Sequence, residues 1–265
     1  MGYKRKTLLS LRKGTLRKLL LSGVVVAFLL SCAVAGAAMV RVGNLVLTAD
    51  GGFTPRTLPR NAFAPIDFEA QANLRAVDGG IPTALQRAVV DFDRDGQLST
   101  GGLPVCDPAS LAEATPQEAR RRCPAAIVGT GHVGALIARE GQAPIEASSP
   151  LTLFNGPRQE GHPTVVFHAR TTVPAVQSFV VTIPIERRRG EFRYRATVQV
   201  PPIAAGRGAL THLDVKVGRR YRYRGSKRSY TSARCRDGIL RTHGIFNFAD
   251  GMIIDGSVEK PCTVR

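Results

Sequence analysis

Ile66-Asp67-Phe68-Glu69-Ala70-Gln71-Ala72-Asn73-Leu74 alternates apolar and polar residues without a break. Side chains on an extended chain point to opposite faces in turn. The order therefore sets Ile66, Phe68, Ala70, Ala72 and Leu74 on one face and leaves Asp67, Glu69, Gln71 and Asn73 to water. A helix would wrap both classes around its whole circumference, so the stretch predicts a half-buried strand. Similar runs recur between Gly and Pro at Leu45 to Thr48, Thr83 to Asp91, Ala126 to Ile137, Thr164 to Ala169 and Phe179 to Ile185. Others are Phe192 to Val200, Leu213 to Arg224, Ser229 to Cys235, Ile239 to Phe248 and Met252 to Val258. About eleven strands with little helical periodicity predict an all-β chain, an antiparallel β-sandwich or a partly closed barrel.

The punctuation agrees. Asp250-Gly251 and Gly225-Ser226 each stand between two such runs, where positive φ angles are needed for a hairpin turn. One helix is signalled: Thr115-Pro116-Gln117-Glu118 is a capping box with Pro at the first helical position, and it leads to Cys123.

Seven basic residues (Lys4, Arg5, Lys6, Arg12, Lys13, Arg17, Lys18) and no acid occupy the first twenty positions, and an uncharged run from Leu19 to Val40 comes next. That order predicts an export signal over residues 1–38, cut near Ala35 to Ala38, where Ala33-Val34-Ala35 and Ala35-Gly36-Ala37 supply small residues. The alternative is an uncleaved signal anchor, since the run is long enough to cross a bilayer as a helix. A lipobox reading of Leu29-Leu30-Ser31-Cys32 is weakened by the apolar residues after Cys32. The remainder of the chain, residues 39–265, reads as a single secreted β domain in the extracellular space or cell envelope, of open oligomeric state.

Cys106, Cys123, Cys235 and Cys262 remain in that domain, and an even number in an exported chain predicts disulfides. Of three possible pairings, Cys106 with Cys123 and Cys235 with Cys262 each bracket a compact segment. No pair has the short spacing of a zinc site.

The segments LPRNAFAPI, VDFDRDGQLSTGGLPVC, CPAAIVGTGHVGA, LTLFNG, VPPIAAGRGALT, RYRYRGSKRSYTSARC and FADGMIIDGSVEKPC occur in this order. In that order the chain resembles a group of exported, β-rich, four-cysteine proteins of high-GC soil bacteria. The group carries no assigned activity, so the resemblance implies export and the cysteines but no chemistry.

Three stretches hold candidate chemistry. Gly129-Thr130-Gly131-His132-Val133-Gly134 matches a dinucleotide fingerprint. That motif needs a helix of several turns starting at the glycines, and Gly141 and Pro144 end the segment too soon, so a nucleotide cofactor is not expected. The expectation is instead a glycine-rich strand that lets another backbone come close. Asp91-Phe92-Asp93-Arg94-Asp95-Gly96 reproduces the opening of a calcium loop, but its twelfth position is Gly102 rather than Glu. Asp91, Asp93 and Asp95 are therefore candidate ligands for at most a weak calcium site, against the alternative of a solvated turn.

The third stretch is Arg219 to Tyr230. Read as a strand with Leu213, Val215, Val217, Tyr221 and Tyr223 inward, it projects Arg220, Arg222 and Arg224 from the other face. Residues 187–236 hold 15 basic and 2 acidic side chains, a field that attracts polyanions. Inward tyrosines are poor stacking platforms, which argues against specific nucleic-acid binding. Arg220, Arg222 and Arg224 are thus the candidate binding residues for an anionic envelope polymer or lipid headgroups. His132, His162, His168, His212 and His243 form no catalytic motif. The sequence reads as an extracytoplasmic protein with a binding or structural role at the envelope and no cofactor. The alternative is a secreted hydrolase with a site assembled from distant residues, calcium-dependent through the Asp91 to Asp95 loop.

Overall fold

The structure, a computed structural model, describes residues 37–265; the expected export signal, up to its last two positions, lies outside the described residues. The strands run β1 (Ala38–Val42), β2 (Leu45–Thr54), β3 (Thr57–Leu58), β4 (Ala64–Pro65), β5 (Asp67–Ala76), β6 (Leu85–Asp93), β7 (Gly96–Leu98), β8 (Ile127–Arg139), β9 (Gln142–Gln159) and β10 (His162–Thr171). They continue with β11 (Gln177–Arg187), β12 (Phe192–Gln199), β13 (Gly208–Val217), β14 (Arg220–Tyr223), β15 (Ser226–Ser229), β16 (Thr231–Ala233), β17 (Ile239–Phe248), β18 (Ile253–Pro261) and β19 (Thr263–Val264). The helix α1 spans Pro116–Arg122.

Twelve of these strands form one antiparallel sheet in the order β1-β2-β5-β13-β8-β9-β10-β11-β12-β6-β17-β18, nearly closed as a barrel. The expected alternation sets the register. On β5, Phe68, Ala70, Ala72 and Leu74 stand opposite Phe53, Gly51, Ala49 and Leu47 of β2. Of these, Phe68, Ala70 and Ala72 face Val217, Val215 and Leu213 of β13. This shared face is the inside of the barrel, while Glu69, Gln71, Asn73 and Arg75 are exposed.

Two barrel strands, β1 and β9, have no counterpart in the sequence reading. β9 carries Pro144, Pro150 and Pro157, which read as breaks because proline has no N–H for a ladder. The fold accommodates Pro150 locally. The Ser149 hydroxyl accepts from the Arg170 N–H at 3.0 Å and donates to the Arg170 carbonyl at 2.7 Å, serving the β10 backbone that Pro150 cannot.

All the long connections (residues 55–66, 94–126 and 218–238) leave the barrel at the same end. There β4-β16-β7, β14-β15 and β3-β19 form three small sheets. They close that end with Ile66, Leu103, Tyr230 and Ala233, all buried. At the other end Ile203, between β12 and β13, packs inward on Ala135, Ile137 and Ala147.

α1 lies against the outer face of β9 and β10. Its capping box is as expected: the Thr115 hydroxyl accepts from the Glu118 N–H at 3.3 Å, and Glu118 accepts from the Thr115 N–H at 2.8 Å. Leu111, Ala114 and Ala119 cover Phe154 and Val166, which are fully buried although they point out of the barrel. The Cys106–Cys123 disulfide pins this flap, and Cys235–Cys262 ties the plug to the chain end, as the pairing by compact segments predicted.

Candidate ligand-binding interior

A barrel of twelve strands is wider than one of eight, whose side chains just fill the space, and its interior is full only if the inward side chains are large. Here many are small. Ala49, Gly51, Ala70, Ala72, Ala88, Ala147, Ala169, Ala196, Gly244 and Gly256 all line the inside. Phe167, Leu213 and Phe246 also point inward, flanked on both sides by paired strands, yet each remains half-buried because too few atoms stand opposite, and Phe179, Val181 and Val198 are half-buried beside the short β11–β12 ladder. Phe68 and Phe92, on strands that are not neighbours in the sheet, meet edge to face at 5.8 Å across the interior. What remains is a cavity of about 540 Å³ with an almost wholly apolar wall.

Charged residues touch this cavity at Asp50, Asp93, Arg241 and Lys260. Two of them are engaged elsewhere: Asp93 accepts the Asp95 and Arg241 backbone N–H groups, and the Arg241 guanidinium reaches Asp237 and Glu259. Lys260 continues the inward row Ile254, Gly256 and Val258 of β18, is 8% exposed, and pairs with Asp50 of β2 at 2.5 Å. That pair bridges the seam where β18 meets β1 and β2. No backbone ladder joins those strands, and the two sides also pack where Ile254 shares an apolar cluster with Leu45, Leu47 and Val40. The Lys260 ammonium beside Asp50 holds this carboxyl below the usual carboxylate range.

The residues singled out in the sequence lie elsewhere. Asp91 is buried on the outer face of β6 and accepts two hydrogen bonds from Arg195 at 2.7 Å, with His243 Nδ1 at 3.7 Å. Asp95 pairs with Arg234 at 2.7 Å. Asp93 lies between them, and burial pushes its carboxyl up. The three carboxylates thus serve three different sets of partners, and a calcium ion would have to displace Arg195 and Arg234 to use them. Among the described residues no group of three His, Cys, Asp or Glu is placed to hold a metal.

The basic stretch departs from the expected single strand. β13 stops at Val217, where the chain turns at Gly218, and β14 forms a separate hairpin with β15. Its turn is Arg224-Gly225, both at positive φ, rather than Gly225-Ser226. Arg220 pairs with Asp67 at 2.7 Å, whereas Arg222 and Arg224 are exposed, with Arg224 stacked on Tyr223 at 5.2 Å. Tyr221 does turn to the core side and donates to the Gly101 carbonyl at 2.9 Å.

The glycine-rich stretch is the strand β8. A Cβ at Gly129 would lie 2.6 Å from the Lys216 carbonyl oxygen, and one at Gly131 would run into the Asp214 carbonyl, so these glycines let β13 approach. His168 is fully buried under the flap, with Nε2 3.0 Å from the Ala114 carbonyl; burial pushes its pKa down.

No protein-family model, curated protein or solved structure matches this chain. Lys260, Asp50 and the small inward residues were not among the sequence candidates. The usable signal was alanine at Ala70 and Ala72, on an apolar strand face where Val or Ile would fill a core.

Proposed function

We propose that this chain is an extracytoplasmic binding protein that carries an apolar molecule, or the apolar part of a larger one, inside its barrel. The observation supporting this reading is the unfilled interior. Ligand sites are typically apolar cavities of ~300 to 1,000 Å³ with few polar groups, and the 540 Å³ here falls in that range. An engineered apolar cavity of roughly 150 Å³ already takes up benzene. Leaving inward Phe, Val and Leu without partners forfeits dispersion contacts, a cost that an occupant would recover. The two disulfides fit an oxidising, extracytoplasmic setting. Among the described residues no helix is long and apolar enough to cross a membrane.

The test is uptake of a neutral, environment-sensitive dye such as Nile red by delipidated protein. The expectation is saturable, stoichiometric binding that a cavity-filling substitution abolishes. Dye that stays in water at every protein concentration would refute it.

The anionic-partner reading keeps one supporting observation: among the described residues Arg222 and Arg224 have no carboxylate partner in a hairpin at the plugged end, close in sequence to Lys227 and Arg228, which are also exposed. On this second reading the plugged end meets an anionic polymer or lipid headgroups while the barrel holds the ligand.

A further inference from the structure

Lys260 is an unusual residue for the inside of an apolar barrel. It stands on β18 in the inward row with Val258 and Gly256, opposite Leu240 of β17, and it is 8% exposed. Taking an ammonium out of water costs several kcal/mol unless an anion meets it. The anion here is Asp50, on the far side of the seam, with its side chain 36% exposed. Arg56 lies near enough to help hold Asp50 charged. The wall of the cavity therefore ends, at the seam, in a cation whose counter-ion faces water.

Elsewhere the eleven adjacent strand pairs of the barrel are joined by backbone ladders, the shortest being β11–β12, where only Ile185, Glu186 and Arg187 pair with Ala196, Arg195 and Tyr194. The seam is held by the Lys260–Asp50 pair and by the apolar packing of Ile254 with Leu45, Leu47 and Val40. At this seam a buried cation stands between the apolar inside and the solvent.

We infer that the barrel takes an amphiphile with an anionic head, of the long-chain carboxylate class, its chain in the cavity and its head at the seam on Lys260 in place of Asp50. This rests on the reading of the interior as a ligand site. The exchange is a swap of counter-ions: Lys260 stays paired throughout, and Asp50, released, is solvated at the surface beside Arg56. An uncharged head of the same length would have to leave Lys260 on Asp50 and gains nothing at the seam.

Displacement of bound Nile red by palmitate and by cetyl alcohol, whose apolar chains are alike, tests this. Because one charge-assisted hydrogen bond replaces another, palmitate should displace the dye from the parent at concentrations a few-fold below those of cetyl alcohol, and the gap should widen to about tenfold once the competing carboxylate is removed. Lys260→Met should bring the two ligands together by weakening palmitate alone. Asp50→Asn, which retains Lys260 and removes its competitor, should strengthen palmitate alone and serves as the independent arm if Lys260→Met does not fold. Equal displacement of the parent by both ligands, or unchanged palmitate binding in Asp50→Asn, would overturn the role of Lys260 while leaving the cavity intact. Absence of dye uptake by the folded parent would instead overturn the cavity reading itself.

Discussion

Ala70→Leu should stabilise the protein, contrary to the usual effect of enlarging an inward residue. Ala70 stands on β5 between Gly51 and Val215, faces the cavity, and is half-buried rather than packed. Leucine adds about three methylene equivalents at ~0.8 kcal/mol each when fully buried, an upper limit of roughly 2.4 kcal/mol. The new atoms meet wall on some sides and empty space on others, so about 1 kcal/mol is the expected gain. A packed interior gives the opposite sign, since overpacking costs ~1 to 3 kcal/mol. Urea unfolding of the delipidated protein measures the difference, and for a chain of this size 1 kcal/mol also moves Tm by roughly 2 to 4 °C. The same substitution should weaken Nile red uptake by taking up volume. A loss of 1 kcal/mol or more, with dye binding unchanged, would show that there is no usable space beside Ala70 and would refute the reasoning from small inward residues.

Asp91→Asn should destabilise by about 1 to 3 kcal/mol, because it weakens two charge-assisted bonds to Arg195 at a buried position. The Arg195 guanidinium holds the Asp91 carboxyl below the usual range. Its stabilisation is thus present above the ordinary carboxylate pKa and lost as pH falls through the depressed value, so Asp91→Asn should flatten the acid limb of a stability–pH curve. Asp93, raised by burial, acts in the opposite sense, its contribution being fully present below the ordinary carboxylate pKa and lost as pH rises through the raised value, so Asp93→Asn should steepen that limb. His168 has its pKa lowered by burial, so its contribution is present above the ordinary histidine range and lost as pH falls through the lowered value; His168→Gln should remove that step from thermal melts taken between neutral and mildly acid pH. Opening Cys106–Cys123 by a double Ser substitution should cost about 3 kcal/mol for a loop of 17 residues and raise hydrogen exchange in α1 before the barrel, as read by mass spectrometry. Replacing Arg222 and Arg224 by Ser should weaken heparin retention in a salt-dependent way without shifting Tm; equal elution would mark them as solvated surface.

The local physics of this protein is written in its sequence. The alternation in Ile66–Leu74 decides which face is buried whatever the strand pairs with, so ten of the twelve barrel strands could be located from such patterns. The capping box at Thr115 depends on residues three apart, and the disulfides join cysteines bracketing short segments. The two strands that escaped, β1 and β9, were masked locally: β1 overlaps the uncharged run that reads as an export signal, and β9 carries prolines, of which Pro150 is compensated by Ser149 against the neighbouring β10. The candidate site was hidden because its partners lie far apart in the chain. Asp91-Phe92-Asp93-Arg94-Asp95 looks like a ligand loop until Arg195 of β12 and Arg234, just past β16, arrive from over a hundred positions away. Lys260 and Asp50 are ordinary surface-type residues in a row of letters and become neighbours only across the seam. A strand's alternation fixes which side chains point inward, but the number of strands and their tilt fix how much space they must fill. That is why apolarity was legible in the sequence, and the emptiness of the interior emerged only when the twelve strands curled into a barrel.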